Sequence, residues 1–168
     1  MFRRIARLRV PLGFVFGVVA LWLAQPTRQT LLWGAIVAVI GEGVRIWAAG
    51  HLEKGREVTR SGPYRFSRHP LYLGSTLIGI GLAIASASFW VAGLVVGYLV
   101  VTLTAAIKTE EAHLTEKFGA AYPDYRAGRA PGIERAFSFD RALRTNREYR
   151  AALGVVIVFL VLLAKRLL

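Results

Sequence analysis

Ser61-Gly62-Pro63-Tyr64-Arg65-Phe66-Ser67-Arg68-His69-Pro70-Leu71-Tyr72-Leu73-Gly74-Ser75 is a basic turn that runs straight into an apolar, glycine-containing segment. Gly62-Pro63 predicts a tight bend. Pro70 forces His69 out of helical geometry and suits the first position of the helix that follows. His69 is therefore expected at a helix N-terminus, where free backbone N–H groups and the neighbouring Arg65 and Arg68 would make a site for a carboxylate or phosphate. Tyr64 and Tyr72 add hydroxyl-bearing rings that equally suit a membrane interface. Because the chain stays apolar from Pro70 to Ser88, the turn is read as the mouth of a membrane helix.

Composition supports that reading. The chain has 168 residues, 55% of them hydrophobic and only 19% charged, with a mean hydropathy of +0.46. This predicts one compact unit over 1–168, too apolar for an ordinary soluble domain. The formal net charge of +12 comes from Lys and Arg residues set between apolar blocks rather than along one solvated face, so anionic headgroups are the expected partner and nucleic acid is not. With no cysteine, disulfides, thiolate metal sites and a cysteine nucleophile are excluded.

Five apolar segments are candidate spans: Val10 to Ala24, Thr30 to Ala49, Pro70 to Ser88, Phe89 to Ile107 and Ala151 to Ala164. The first and last are short, roughly 21 to 23 Å at 1.5 Å per residue. Arg3, Arg4, Arg7 and Arg9 precede the first span; Lys54, Arg56, Arg60, Arg65 and Arg68 separate the second from the third; nine more cations lie between Lys108 and Arg150. The other side carries only Arg28, Lys165 and Arg166. The positive-inside rule then predicts a multi-pass protein with a cytoplasmic N-terminus and cytoplasmic 50–69 and 108–150 segments. Met1 to Ala24 also has the outline of a signal peptide, but Trp22 at the −3 position fits a small-residue cleavage site poorly.

Glycines recur within the spans as Gly13-x-x-x-Gly17, Gly93-x-x-x-Gly97 and the Gly74, Gly79, Gly81 series. Close helix packing is the plain reading. Gly74, one turn inside the third span, is the expected exception, where a missing side chain would let a flat ligand approach. Glu42 and Arg45, three apart on one face of the second span, should face the interior and each other, because lipid exposure would cost each about 2.5–3.5 kcal/mol. They make either an ion pair that fixes helix register or a polar wall for a ligand.

A second polar cluster follows the fourth span: Lys108-Thr109-Glu110-Glu111-Ala112-His113-Leu114-Thr115-Glu116-Lys117-Phe118-Gly119. It is expected to continue the fourth helix without a break and to end at Gly119. Adjacent glutamates on a helix are commonly just solvated. Here they lie past a membrane boundary at the depth expected for Arg68 and His69, which points to a common site.

Arg45-Ile46-Trp47-Ala48, the Ser61-to-Arg65 turn, Arg68-His69-Pro70-Leu71-Tyr72-Leu73-Gly74-Ser75, and then Glu110-Glu111 with Leu114, Phe118-Gly119, Tyr122 and Tyr125 form an ordered set. In that set the chain resembles the isoprenylcysteine carboxyl methyltransferase and phospholipid methyltransferase superfamily of integral membrane methyltransferases, over roughly Gly41 to Arg126. With the five apolar segments, the expectation is an all-α integral membrane protein of about five transmembrane helices. The resemblance implies S-adenosylmethionine as methyl donor, bound at the cytoplasmic face between the loop before the third helix and the extension of the fourth, and a lipid or lipidated acceptor reached from the bilayer. Carried over by position, Tyr64, Arg65, Arg68, His69, Tyr72, Leu73 and Gly74 would line the cofactor pocket and Glu110 and Glu111 would bind from the other side. His69, then Glu42, are candidates to take a proton from an amine acceptor, and Arg45 is a candidate to position an acidic one.

His51, Glu53, Lys54 and Glu57 are expected to meet solvent and headgroups, and the arginine-rich 127–150 segment to lie on lipid, before an additional C-terminal apolar helix over 151–164. The three histidines lack paired metal-ligand spacing, so no metal is predicted. Two other readings fit the same composition. One is a reductase of the sterol reductase kind using a nicotinamide dinucleotide; the other is a non-enzymatic adaptor binding anionic lipid.

Overall fold

The structure, a computed structural model, describes residues 2–53, 56–119, 121–129 and 135–168; for 2–12, 121, 122 and 126 only the backbone is described. The side chains of Arg3, Arg4, Arg7, Arg9, Lys54 and Tyr122 thus lie outside the described set. Among the described residues all regular structure is helical. In chain order come α1 (Phe2–Leu23), α2 (Arg28–His51), a 3-10 turn (Gly62–Arg65), α3 (Pro70–Ser86), α4 (Phe89–Phe118), the short α5 (Ala121–Arg126), a π-helical turn (Arg141–Thr145) and α6 (Tyr149–Leu167). All five apolar segments are helices. Two of them, α2 and α4, are long and apolar enough to cross a membrane, and Gly13–Leu23 and α3 are shorter apolar helices.

The distribution of side-chain sizes is the reverse of that in a water-soluble bundle. Buried positions are filled largely by small residues such as Ala38, Ala48, Ala49, Ala85 and Ala105, while Trp22, Leu32, Val39, Val96 and Leu160 point outward. Water would penalise so large an apolar exterior, whereas lipid does not. Lipid also removes the hydrophobic drive between helices, so association rests on close backbone approach. α2 and α3 provide it. A Cβ on Gly41 would sit 2.7 Å from the Gly74 carbonyl oxygen, and one on Gly81 would sit 2.6 Å from that of Gly34 and 2.7 Å from the Ala38 amide. Gly74 is therefore occupied by this packing, with Gly41 and the Arg45 stem against it, and is not open to a flat ligand as expected. Gly93 and Gly97 behave differently, since a Cβ on either would meet nothing within 4 Å.

Local chemistry sets the helix ends. Thr27 and Thr30 form a capping box ahead of α2, and Pro26 precedes it. At the other end of α2, Asn146 Nδ2 donates to the Ala49 and Leu52 carbonyls at 2.8 and 3.0 Å, and Arg141 donates to that of Gly50, so carbonyls at and just past the helix end are engaged from the C-terminal segment. Arg141 and Arg135 also hold Glu53 and Glu57, with 2.9 Å contacts from Arg141 to Glu53 and from Arg135 to Glu57. His51 is buried against Phe137, with Ser61 Oγ 3.2 Å from its Nδ1. These contacts correct one expectation: His51, Glu53 and Glu57 engage protein. Arg135, Phe137, Arg141 and Asn146 pack on the end of α2 and the loop after it, while Phe139 and Arg144 stay exposed. α6 is likewise integrated: Lys165 donates to the Leu21 and Trp22 carbonyls at 2.8 and 2.6 Å, closing the end of α1.

Candidate functional site

The site begins with a glycine. Gly62 adopts φ +57, and a Cβ there would run into the His51 ring, so both conformation and space require glycine at the bend. The bend turns Tyr64 inward, where it is buried, and Tyr125 on α5 donates its hydroxyl to the Tyr64 carbonyl at 2.8 Å. The Arg60 guanidinium stands 5.8 Å from the Tyr125 ring centre. Burial, with the nearby Glu110 charge, holds the Tyr64 hydroxyl far above its ordinary phenolic range, so it stays neutral and able to donate. Burial also raises Tyr125, against the opposing charges of Arg68 and Arg60. Tyr125→Phe is expected to cost about 0.5–1.5 kcal/mol, read as a lowered thermal midpoint; an unchanged midpoint would show that α5 does not brace the turn.

α4 runs unbroken to Phe118 and stops at Gly119, which has φ +52, so Glu110 and Glu111 are carried past the apolar part of the helix to the level of the turn. There the two sequence clusters meet. Tyr72 donates its hydroxyl to Glu110 Oε2 at 2.7 Å, His69 Nε2 lies 3.3 Å from Glu111 Oε1, and Arg68 lies 3.7 Å from the same oxygen. His69 Nδ1 is 4.0 Å from Glu110 Oε2, and the His69 and Tyr72 rings stack with centres 5.7 Å apart. Tyr64, Arg68, His69, Tyr72, Glu110 and Glu111 thus form one polar cluster. Leu73 is half-exposed and Arg65 exposed, so neither is enclosed within it.

The end of α3 offers less to an anion than the sequence suggests. Pro70 has no N–H, and the Tyr72 and Leu73 amides both donate to the His69 carbonyl, at 3.0 and 3.1 Å. Attraction for a carboxylate therefore rests on Arg68 and the imidazole. With guanidinium, imidazole, phenol and two carboxylates together, the donor set fits a zwitterionic ligand carrying hydroxyls. Such a ligand presents groups of both signs.

Arg45, whose contact Ser75 lies six residues along α3 from His69, does not pair with Glu42. Its Nε and Nη2 donate to Glu148 Oε2 at 3.1 and 2.7 Å, and Nη1 donates to Ser75 Oγ at 2.6 Å. Glu42 is buried within electrostatic reach of Arg45 and Glu148, yet neither of its carboxylate oxygens has a hydrogen-bond partner. Sequence reasoning missed Glu148 and Ser75. The available signal for Glu148 was an acid among arginines immediately before an apolar helix.

These elements define an all-helical, membrane-associated protein with a two-sign polar cluster at one end of its apolar bundle. The chain belongs to the phospholipid methyltransferase family, whose model matches residues 14–121. The match reaches back into α1 and stops before the π-helical turn and α6. The chain is also similar to the nickel-cobalt-cadmium resistance protein NccN of Alcaligenes xylosoxydans xylosoxydans, with 27% identity over 126 residues, covering 74% of this chain and 57% of that protein. This chain therefore spans little more than half the length of that relative. No solved structure matches it.

Proposed function

We propose that the protein is an S-adenosylmethionine-dependent methyltransferase that modifies a lipophilic acceptor at the cytoplasmic face of a membrane. The observation that carries the reading is the meeting of the Arg68-His69 turn with Glu110 and Glu111, at the end of an apolar bundle belonging to a methyltransferase family. Five membrane crossings with a cytoplasmic N-terminus agree with the distribution of cations along the chain, and the exposed Arg65 suits anionic headgroups.

S-adenosylmethionine would supply an electrophilic methyl group on a sulfonium. Arg68 would hold its carboxylate, and Glu110 and Glu111 would accept hydrogen bonds from its ammonium and ribose hydroxyls. Tyr64, neutral and buried within electrostatic reach of Glu110 and Tyr72, would be available as a donor. The protein's main contribution is alignment of donor and acceptor with water excluded, since in-line methyl transfer disperses charge as the bond breaks. A carboxylate acceptor needs no base. An amine acceptor must lose a proton, for which His69 is the nearest candidate and Glu42 a second. Arg45 is poorly placed to hold an acidic acceptor alone, because Glu148 already engages two of its nitrogens.

The test is transfer of tritiated methyl from S-adenosylmethionine into organic-extractable material, using the purified chain with separate vesicles containing phosphatidylethanolamine or a farnesylcysteine. Label entering either acceptor supports the reading and separates N- from O-methylation. Label that never leaves the aqueous phase, with NADPH oxidised instead, would favour the reductase.

A further inference from the structure

An apolar cavity of about 420 Å³ lies among α1, α3, α4 and α6, within the range of about 300–1,000 Å³ typical of small-molecule sites. Arg45 and Ser75 stand at one end and Ser86 at the other. Ser75 and Ser86 are eleven residues apart on α3, about 16 Å at the helical rise. Between them the walls are hydrocarbon, including Ile78 and Leu82 of α3 and Leu94 of α4. One side is closed by Ala151, Val155, Val158 and Leu162 of α6, spaced so that they share a single helix face. Glu148, immediately before that helix, fixes Arg45 at the polar end. This wall lies beyond the stretch that matches the family.

We propose that α6 is the specificity wall of an acceptor-chain site, in which one hydrocarbon chain of an amphiphile lies along the cavity with its polar head beside Ser75 and the Arg45–Glu148 ion pair. The occupant is a single extended chain because the cavity is long, narrow in volume for its length, and polar at the end nearest the Arg68–Glu111 cluster. Ser75 lies six residues along α3 from His69 and three from Tyr72, so a head held there is about 9 Å along the helix from the imidazole and about 4.5 Å from the Tyr72 position of that cluster. Prenyl and acyl chains share this chemistry. Placing the site beside the methyl donor rests on the reading above, but chain binding itself does not.

The experiment is fluorescence titration of the full chain in detergent with cis-parinaric acid, alongside S-adenosylhomocysteine calorimetry on the same samples. Wild type should bind the probe saturably at one site. Val155→Trp, which fills the cavity from α6, should weaken binding about tenfold or more, while Val100→Trp on the outer face of α4 should not. Both variants must retain the wild-type helical signal, and Val158→Phe serves if Val155→Trp does not fold. Competition by farnesyl and by palmitoyl amphiphiles identifies the chain source. Equal probe affinity in wild type and the α6 variants, or no saturable binding, overturns the proposal. Chain binding without S-adenosylhomocysteine binding would instead count against the methyltransferase reading alone.

Discussion

Glu148→Gln is expected to destabilise the protein by about 3–5 kcal/mol, because it strands the Arg45 guanidinium in the bundle. The side chains are 19% exposed for Arg45 and 8% for Glu148, and two of the three Arg45 contacts end on a single Glu148 oxygen. Loss of the carboxylate charge leaves a cation with only Ser75 and a nearby unpartnered Glu42. The double change Arg45→Met, Glu148→Leu should recover most of the loss, since replacing both charges by apolar groups of similar size removes the desolvation cost. Unfolding in mixed micelles checks both. Failure of the double variant to recover stability would mean that the pair contributes through its geometry, by joining α6 to α2, more than through charge balance.

Gly34→Val is the second large effect, expected near the upper end of the usual overpacking range, about 3 kcal/mol. A Cβ at Gly34 would lie 2.6 Å from the Ala85 Cβ and 2.7 Å from its amide, with the Gly81 carbonyl closer still. Backbone cannot yield as a side-chain tip can, so α2 and α3 would have to separate along their contact. Gly93→Ala and Gly97→Ala should leave stability unchanged within about 1 kcal/mol, because they add a methyl to open space and favour the helix. The same unfolding assay compares them. A large loss at Gly93 or Gly97 would reveal a packing surface outside this chain's own bundle.

These contrasts show what the sequence made legible. Helix positions followed from runs of apolar residues punctuated by Pro26, Pro70 and Gly119, which act locally. The polar cluster was legible because Arg68-His69-Pro70 and Glu110-Glu111 sit at adjacent ends of consecutive helices, so depth alone brings them to one level. Arg45 was misassigned because Glu42 is three residues away, whereas Glu148 lies 103 residues along the chain and reaches Arg45 only through the fold of the C-terminal segment. Gly74 and Gly93 have the same residue type in similar apolar contexts, and only tertiary placement separates a packed glycine from an open one. The partners of Arg135 and Arg141 were illegible for a related reason. The arginines of 127–150 suit lipid headgroups by composition, and the Glu53 and Glu57 carboxylates that hold these two come from the distant loop after α2.

The central claim is a cofactor site built from the Arg68-His69 turn and the α4 glutamates, and calorimetric titration of the detergent-purified protein with S-adenosylmethionine, S-adenosylhomocysteine and NADPH tests it most directly. Saturable binding of the first two, lost in a folded Glu110→Gln, Glu111→Gln double variant, is the expected result. Binding of NADPH alone, of none of the three, or of S-adenosylhomocysteine with undiminished affinity in the double variant would contradict it.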